Sequence, residues 1–399
     1  MIHRFAAAIV AGIVFSGACA QQQLWGPQHP ESPQINADST VTFRLYAPGA
    51  REVMVSGDFL TTAKADSIAA PLAMSVADGV WSCTTPEAVA PELYSYRFIV
   101  DGVMVNDPAN VYQLRDVATV QNLFLMPGGN ADWYRVTDVP HGTVARIWYH
   151  SPTAGDDRRA TVYTPAGYEA AGSRRYPVLY LLHGMGGDET AWSELGRATE
   201  ILDNMIAAGK VEPMIVVMPN GNISQTAAPG ATSAGFVKPT FYLPHTMDGL
   251  FEQHFPELVS HIDATYRTLA DKDHRAVAGL SMGGFHSMNI SRNYPDMFGY
   301  VGLFSAAINP RGDVDSPVYA DTPAKLRRQF VACDVNQQGA PRLYWVAVGE
   351  DDFLAADNEA YRAMLAKAGY QFEYHRSAGA HTWRNWRNYL TEFLPRLFR

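Results

Sequence analysis

This sequence has few cysteines and few charged residues, and each of these shortages excludes certain classes of protein. Only three cysteines, Cys19, Cys83 and Cys333, occur in 399 residues, which excludes a disulfide-dense scaffold and a cysteine-rich zinc site. Charged residues make up 18% of the chain, and 31 Lys and Arg are outnumbered by 40 Asp and Glu. We expect no nucleic-acid partner, because phosphates are bound mainly by clustered basic side chains.

Long apolar runs are also missing, with one short exception near the N-terminus. Residues 5–15 are an apolar stretch of 11 residues between a basic start and an A-x-A sequence at 18–20. This pattern predicts a secretory signal peptide over residues 1–20, cleaved after Ala20, and a secreted or periplasmic protein without a membrane span. Lipidation of Cys19 is the less favoured alternative, because Ser16 stands where a lipoprotein signal carries an aliphatic residue.

The sequence motifs that hold metals or nucleotides are absent as well. The chain contains no C-x-x-C, no H-E-x-x-H, no G-K-[ST] and no G-x-G-x-x-G. The histidines do not cluster with acidic residues at the spacing of metal ligands. We therefore predict neither a metal nor a cofactor.

What the chain does contain, after the signal, is a segment of short strands. Residues 40–46 alternate apolar and polar side chains, and residues 94–100 do the same before the hairpin signal Asp101-Gly102. Several such strands predict an all-β immunoglobulin-like sandwich over residues 35–127. A Pro- and Gly-rich stretch follows, and residues 128–141 are predicted to be a linker.

From residue 142 to 399 the pattern changes to strands that alternate with helices. The apolar run Val178–Leu182 is typical of a strand buried on both faces. Helices are predicted over 194–208 and over 248–266, the second capped by Asp248. This alternation predicts an α/β domain with a doubly wound, mostly parallel sheet.

The most informative motif is Gly279-Leu280-Ser281-Met282-Gly283, between a predicted strand and a predicted helix. It fits G-x-S-x-G in the context that a nucleophile elbow requires, where small residues let the chain turn sharply and expose a serine. Ser281 is therefore the candidate nucleophile. A serine hydroxyl needs a base to accept its proton, and that base needs an orienting partner.

Candidates for both partners follow later in the chain, in the order that this architecture uses. Acids stand at the end of one predicted strand, and His381 ends the loop after the next one. The carboxyl ends of parallel strands meet at one edge, so we expect these side chains near Ser281. We assign His381 as general base and acid, and Asp352 as its orienting group, with Glu350 and Asp351 as competitors.

A glycine-rich loop at residues 181–187, LLHGMGG, is the candidate source of an oxyanion hole. One donor is expected from the backbone N–H of Met282 and the other from that of Met185. A phosphate cradle is the weaker alternative. His183 is interpreted as a structural histidine.

Four aromatic residues lie near the predicted site, and we assign two of them to an acyl pocket. Among Trp192, Phe241, Tyr242 and Trp383, the candidates chosen are Trp192 and Tyr242. The alternative for each is simple packing, because aromatic side chains bury a large area.

Residues 142–399 resemble family one of the carbohydrate esterases, the feruloyl and acetyl xylan esterases of the esterase D group. LLHGMGG at 181–187, GLSMGG at 279–284, VGEDDFL at 348–354 and GAHTWRNWR at 379–387 carry the resemblance. It implies an α/β-hydrolase fold, places the triad acid on Asp352, and places the oxyanion donors on Met185 and Met282.

The first domain resembles the early-set domain of carbohydrate-binding module family 48. The phrases TVTFRLYAPGAREVMVSGDF, DGVW and YSYRFIVDG carry this second resemblance. Together the two resemblances imply action on plant cell wall polysaccharide esters such as feruloylated arabinoxylan. We expect Trp81, Tyr94 and Tyr96 to pack inside the domain, although stacking on a sugar is the alternative.

The resulting prediction is a serine esterase that releases ferulate or a related hydroxycinnamate through an acyl-enzyme. An acetyl xylan esterase with the same triad is the first alternative, and peptidases and acyltransferases share the elbow. From another class, a glycan-binding protein with a degenerate hydrolase domain is the remaining alternative. The intact Ser281, Asp352 and His381 argue against it.

Overall fold

The computed structural model describes residues 29–60, 70–232, 240–241, 243–308, 341–367 and 369–399. The predicted signal peptide, Tyr242 and Cys333 lie outside these ranges. Among the residues described, no helix is both long enough and apolar enough to cross a membrane.

The first part of the chain folds into two antiparallel sheets, as the alternating strands predict. One sheet has the order β1-β2-β6-β5, and the other has the order β4-β3-β7-β10-β9 with β8 paired to β7. The strands β1, β4, β5, β6 and β9 were not predicted, and all of them except β6 have only two to four residues, too few to show alternation. The strands are β1 Gln34–Ile35, β2 Val41–Tyr46, β3 Val53–Gly57, β4 Leu72–Ala73, β5 Ser75–Ala77, β6 Val80–Thr84, β7 Glu92–Val100, β8 Val103–Val105, β9 Gln113–Asp116 and β10 Thr119–Met126.

Aromatic side chains fill the space between these two sheets. Phe43 and Tyr96 lie with ring centroids 4.9 Å apart, and Phe124 packs against both. Trp81, Tyr94 and Tyr96 are all buried in this core. The expectation that these three residues pack inside the domain is confirmed, so they are not available to stack on a sugar.

The second part of the chain forms an eight-stranded sheet with the order β11-β12-β14-β13-β15-β16-β17-β18. The strands from β14 to β18 are parallel, and β11 and β12 extend the sheet with antiparallel pairing. The predicted α/β class is therefore confirmed. These strands are β11 Thr143–Ser151, β12 Asp156–Thr164, β13 Val178–Leu182, β14 Ile215–Pro219, β15 Arg275–Leu280, β16 Tyr300–Phe304, β17 Leu343–Gly349 and β18 Glu373–Ser377.

The helices differ from the predictions mainly at their ends. The prediction of one helix over 194–208 is wrong, because the chain takes a left-handed turn at Arg197 that separates α1 (Ala191–Glu194) from α2 (Ala198–Ala207). The predicted helix over 248–266 begins two residues later, although the Asp248 carboxylate accepts the Leu250 N–H at 3.1 Å. The α-helices are α1 Ala191–Glu194, α2 Ala198–Ala207, α3 Leu250–Thr265, α4 Met282–Asn293, α5 Ala355–Lys367 and α6 Trp383–Phe393. Among the residues described, 3-10 helices lie at Asp58–Leu60, Gly129–Tyr134, Glu169–Ala171, Lys272–His274 and Leu394–Arg396.

The two parts share a buried interface. Leu93 on β7 and Leu123 on β10 belong to the same apolar cluster as Trp386 and Phe393 on α6. The guanidinium of Arg387 on α6 lies 2.9 Å from the buried carboxylate of Glu92 on β7. The stretch predicted to be a linker also packs, since Ala131 and Tyr134 are completely buried. The first domain is thus held firmly against the second.

Candidate active site

The G-x-S-x-G turn holds Ser281 in a strained conformation between β15 and α4. Its backbone φ is 52° and its ψ is −114°, a region that residues with a side chain seldom occupy. The Ser281 N–H donates to the Phe304 carbonyl at 2.9 Å, and its own carbonyl accepts the Ala307 N–H at 2.8 Å. These bonds to the end of β16 and beyond it hold the serine in the geometry of a nucleophile elbow.

The flanking glycines are required because the backbone comes too close for any side chain. A Cβ at Gly279 would lie 2.5 Å from the carbonyl of Gly283, and one at Gly283 would lie 2.4 Å from the Leu182 carbonyl oxygen. Real Cβ atoms do not approach backbone this closely. The motif therefore packs the start of α4 directly against the end of β13, where the predicted oxyanion loop begins.

We predict that Gly283→Ala destabilises the protein by about 1–3 kcal/mol, since the new methyl must displace backbone rather than a flexible side chain. Chemical denaturation of the variant measures this loss. Gly49→Ala is the matched control: a Cβ there meets no heavy atom within 4 Å, and we expect a change within about 0.5 kcal/mol. Equal stability of the two variants would contradict the argument.

His381 and Asp352 form a hydrogen-bonded pair at the carboxyl edge of the sheet. The His381 Nδ1 atom lies 3.0 Å and 2.9 Å from the two carboxylate oxygens of Asp352. The Asp352 side chain is fully buried, whereas Glu350 and Asp351 are exposed. Of the three competing acids, Asp352 is the one that the fold brings to the histidine.

Two aromatic rings hold the imidazole of His381 in place. Phe353 lies with its ring centroid 4.4 Å from that of the imidazole, and Trp386 approaches at 4.9 Å, nearly perpendicular. Phe353 is 72% exposed, which is unusual for a phenylalanine beside a candidate catalytic group. The sequence signal for Phe353 was available, because it directly follows the acids in VGEDDFL.

His183 supports the loop that follows β13. The Nε2 atom accepts the N–H of Gly221 at 2.8 Å, so the proton lies on Nδ1 and is donated to the Gly184 carbonyl at 2.7 Å. Burial lowers the pKa of His183 to about 4, and the imidazole is neutral at ordinary pH. The interpretation of His183 as a structural histidine is confirmed.

A cavity of about 870 Å³ opens above these residues. Ser281, His381 and Met185 line it, while Met282 is fully buried as the first residue of α4. Trp383, Phe241 and Phe353 contribute aromatic surface to its wall. Of the two residues predicted to form the oxyanion hole, Met185 therefore lines the cavity with the serine and the histidine, and Met282 directly follows Ser281 in the chain.

Trp383 and Phe241 lie on the cavity wall, whereas Trp192, one of the two residues assigned to the acyl pocket, does not. Trp192 lies beneath the cavity, 1% exposed, with its indole N–H donating to the Leu182 carbonyl at 2.9 Å. Its ring packs at right angles against Trp383, 5.4 Å between centroids. The structure thus gives Trp192 a supporting place, with Trp383 at the surface, and Tyr242 lies outside the described residues.

Part of the cavity wall comes from the first domain, which the sequence analysis did not predict. Arg115, Asp116 and Val117, at the turn between β9 and β10, line the same cavity as Ser281. This turn contains no glycine and no other hairpin signal. Its place at the site follows from how the two domains pack, which local sequence patterns do not report.

Comparison with known families agrees with this arrangement. Residues 151–397 match the family described as "Putative esterase", and residues 29–111 match carbohydrate-binding module 48, the isoamylase N-terminal domain. The chain belongs to the esterase family. The predicted resemblance in both domains is thereby confirmed, and so is the order of a β-domain followed by an α/β domain.

The curated relatives of this esterase are longer than the chain itself. An endo-1,4-beta-xylanase/feruloyl esterase of Xylanibacter ruminicola is 31% identical over 378 residues, covering 92% of this chain and 46% of that protein. An esterase of Mycobacterium tuberculosis is 28% identical over 333 residues, covering 73% of this chain and 66% of that protein. The chain therefore spans about half to two thirds of the length of these relatives.

Solved structures show the same fold. A ferulic acid esterase from Anaeromyces mucronatus is 22% identical and has a TM-score of 0.54, covering 67% of this chain and 95% of that one. The enterobactin esterase of Shigella flexneri is 19% identical with a TM-score of 0.62, covering 93% of this chain and 96% of that one. The second likeness extends over both domains of the esterase.

Proposed function

We propose that this protein is a serine carboxylesterase that uses Ser281, His381 and Asp352. Ser281 Oγ attacks the ester carbonyl while His381 Nε2 accepts its proton, and the N–H groups of Met185 and Met282 bind the resulting oxyanion. His381 then gives the proton to the leaving alcohol, and water hydrolyses the acyl-enzyme by the same route. The strongest support is the buried Asp352 carboxylate, which lies 2.9 Å from His381 Nδ1. His381 in turn lines the same cavity as Ser281.

For the substrate, we propose ferulate or a related hydroxycinnamate esterified to arabinoxylan. A cavity of about 870 Å³ with Trp383, Phe241 and Phe353 on its wall is far larger than an acetyl group needs and offers flat surfaces to an aromatic acid. The relative named endo-1,4-beta-xylanase/feruloyl esterase supports the same choice. The predicted signal peptide supports a secreted or periplasmic location, where such a polysaccharide is accessible.

The test compares initial rates on methyl ferulate, feruloylated arabinoxylan, p-nitrophenyl acetate and acetylated xylan. We expect kcat/KM for methyl ferulate to exceed that for p-nitrophenyl acetate by at least tenfold, and ferulate to be released from the polysaccharide. Acetate release from xylan without ferulate release would replace the substrate with an acetyl ester. Retention on xylan without hydrolysis of any ester would contradict the enzyme and favour a binding protein.

A further inference from the structure

The turn between β9 and β10 reaches from the first domain onto the predicted oxyanion loop. Asp116 pairs with Thr119 across this turn, so Val117 and Ala118 form its tip. Val117 has a φ of 50°, a left-handed conformation that is rare for a β-branched residue. Strain of this kind persists only where the surroundings hold it, and here the contacts beyond the tip do so.

The first contact joins Val117 to Gly186 in the oxyanion loop. A Cβ placed on Gly186 would lie 2.7 Å from Val117 Cγ1 and 2.9 Å from Cγ2. Gly186 also has a φ of 78°, so both the conformation and the contact require glycine. The valine therefore presses on the residue that directly follows Met185.

The second contact is an ion pair between Arg115 and Asp188. The Asp188 side chain is 1% exposed, and its other oxygen accepts the N–H and the hydroxyl of Thr190 at 2.9 Å and 2.7 Å. Arg115 also donates to the Val117 carbonyl at 2.6 Å. One guanidinium thus ties the strained tip to the carboxylate that organises the end of the oxyanion loop.

The third contact reaches the histidine side of the site. Asp116 lines the cavity together with Trp383, the first residue of α6, two positions after His381. Burial raises the pKa of Asp116, and a hydrogen bond from Trp383 opposes that rise. The same tip therefore contacts the oxyanion loop and shares the cavity wall with the segment that follows His381.

We infer that the β9–β10 tip of the first domain positions the oxyanion hole, with Arg115 and Val117 as positioning residues. The inference rests on the proposed function and adds a role for the first domain that does not depend on binding a glycan. Because the Met185 N–H must point at the oxyanion and not at the ground-state carbonyl, a displaced loop weakens binding of the transition state more than of the substrate.

The experiment measures Arg115→Met with p-nitrophenyl acetate and methyl ferulate. We expect kcat to fall about tenfold to hundredfold, less than the 10²–10³ lost when an oxyanion donor is removed outright, with KM changed less than threefold. The affinity for phenylboronic acid, whose serine adduct is tetrahedral, should fall in parallel with kcat. Arg115→Lys should recover part of the loss, because an ammonium keeps the charge beside Asp188.

Two further variants separate positioning from stability. Val117→Gly relieves the strain at a φ of 50° and removes the contact with Gly186, so we expect kcat to fall while stability is kept or raised. Arg51→Met removes an arginine of the same domain that is 89% exposed. We expect it to leave kcat, KM and stability unchanged.

Clear results would overturn the inference. A wild-type kcat in both Arg115→Met and Val117→Gly would exclude a positioning role for the tip. If Arg115→Met does not fold, a wild-type kcat in Val117→Gly is enough to exclude it. A rise in KM with unchanged kcat and boronate affinity would also exclude it, since Arg115 would then act by touching the substrate. A wild-type protein inactive on both esters would instead remove the proposed function itself.

Discussion

Replacing Ser281 by alanine is expected to lower kcat by roughly 10⁴- to 10⁶-fold, because no acyl-enzyme can form without the hydroxyl. The fold should survive, since the bonds that hold the elbow are made by the Ser281 backbone to Phe304 and Ala307. The residual rate comes from the oxyanion hole and substrate binding alone. Initial rates on methyl ferulate, together with covalent labelling by a fluorophosphonate, measure the effect.

The matched control is Ser287→Ala, on the same helix. Ser287 is fully buried, and its hydroxyl donates to the Gly283 carbonyl at 2.7 Å, within the helix. We expect this variant to lose at most about 1 kcal/mol of stability and to keep kcat within about threefold. Full activity in Ser281→Ala, or a fluorophosphonate adduct on that variant, would move the nucleophile elsewhere.

Asp352→Asn is expected to lower kcat on the order of 10³- to 10⁴-fold with little change in KM. An asparagine oxygen can keep the 2.8 Å bond from the Leu354 N–H, so the turn stays intact. Its amide N–H₂ then faces His381 Nδ1 and forces the proton onto Nε2, the atom that must accept the proton of serine. The enzyme folds but holds its base in the wrong tautomer.

Asp351→Asn and Glu350→Gln are the controls, because they remove neighbouring carboxylates that are exposed. We expect both to keep kcat within about twofold. A larger loss in either of them than in Asp352→Asn would reassign the orienting acid. Steady-state rates and thermal unfolding of all three variants distinguish a change of tautomer from a loss of folded protein.

The parts of the fold that sequence predicts best are those where one physical requirement dominates. The bounds of β13, Val178–Leu182, are those predicted, since a strand buried on both faces must be continuously apolar. The serine elbow is predicted equally well, because a Cβ at Gly283 would lie 2.4 Å from the Leu182 carbonyl oxygen and only glycine fits there.

Prediction fails where several requirements compete or where distant segments meet. The helix over 194–208 is interrupted at Arg197, whose left-handed φ of 51° has no signal in an arginine. Trp192 and Trp383 are equally aromatic, and only the packing of α1 against α6 decides which one faces the cavity. The tip at Val117 is more than 160 residues from Ser281 in the sequence. It reaches the site only because the two domains pack against each other.

The apolar interface between the domains has a consequence for how the protein is made. Leu93 and Leu123 of the first domain belong to a buried cluster that includes Trp386 and Phe393 of α6. During synthesis the first domain emerges before α6, so we expect the part of this surface that α6 covers to stay exposed to solvent until α6 has been translated. We therefore expect an apolar surface at Leu93 and Leu123 to be prone to association during synthesis, and the docking of α6 to cover it.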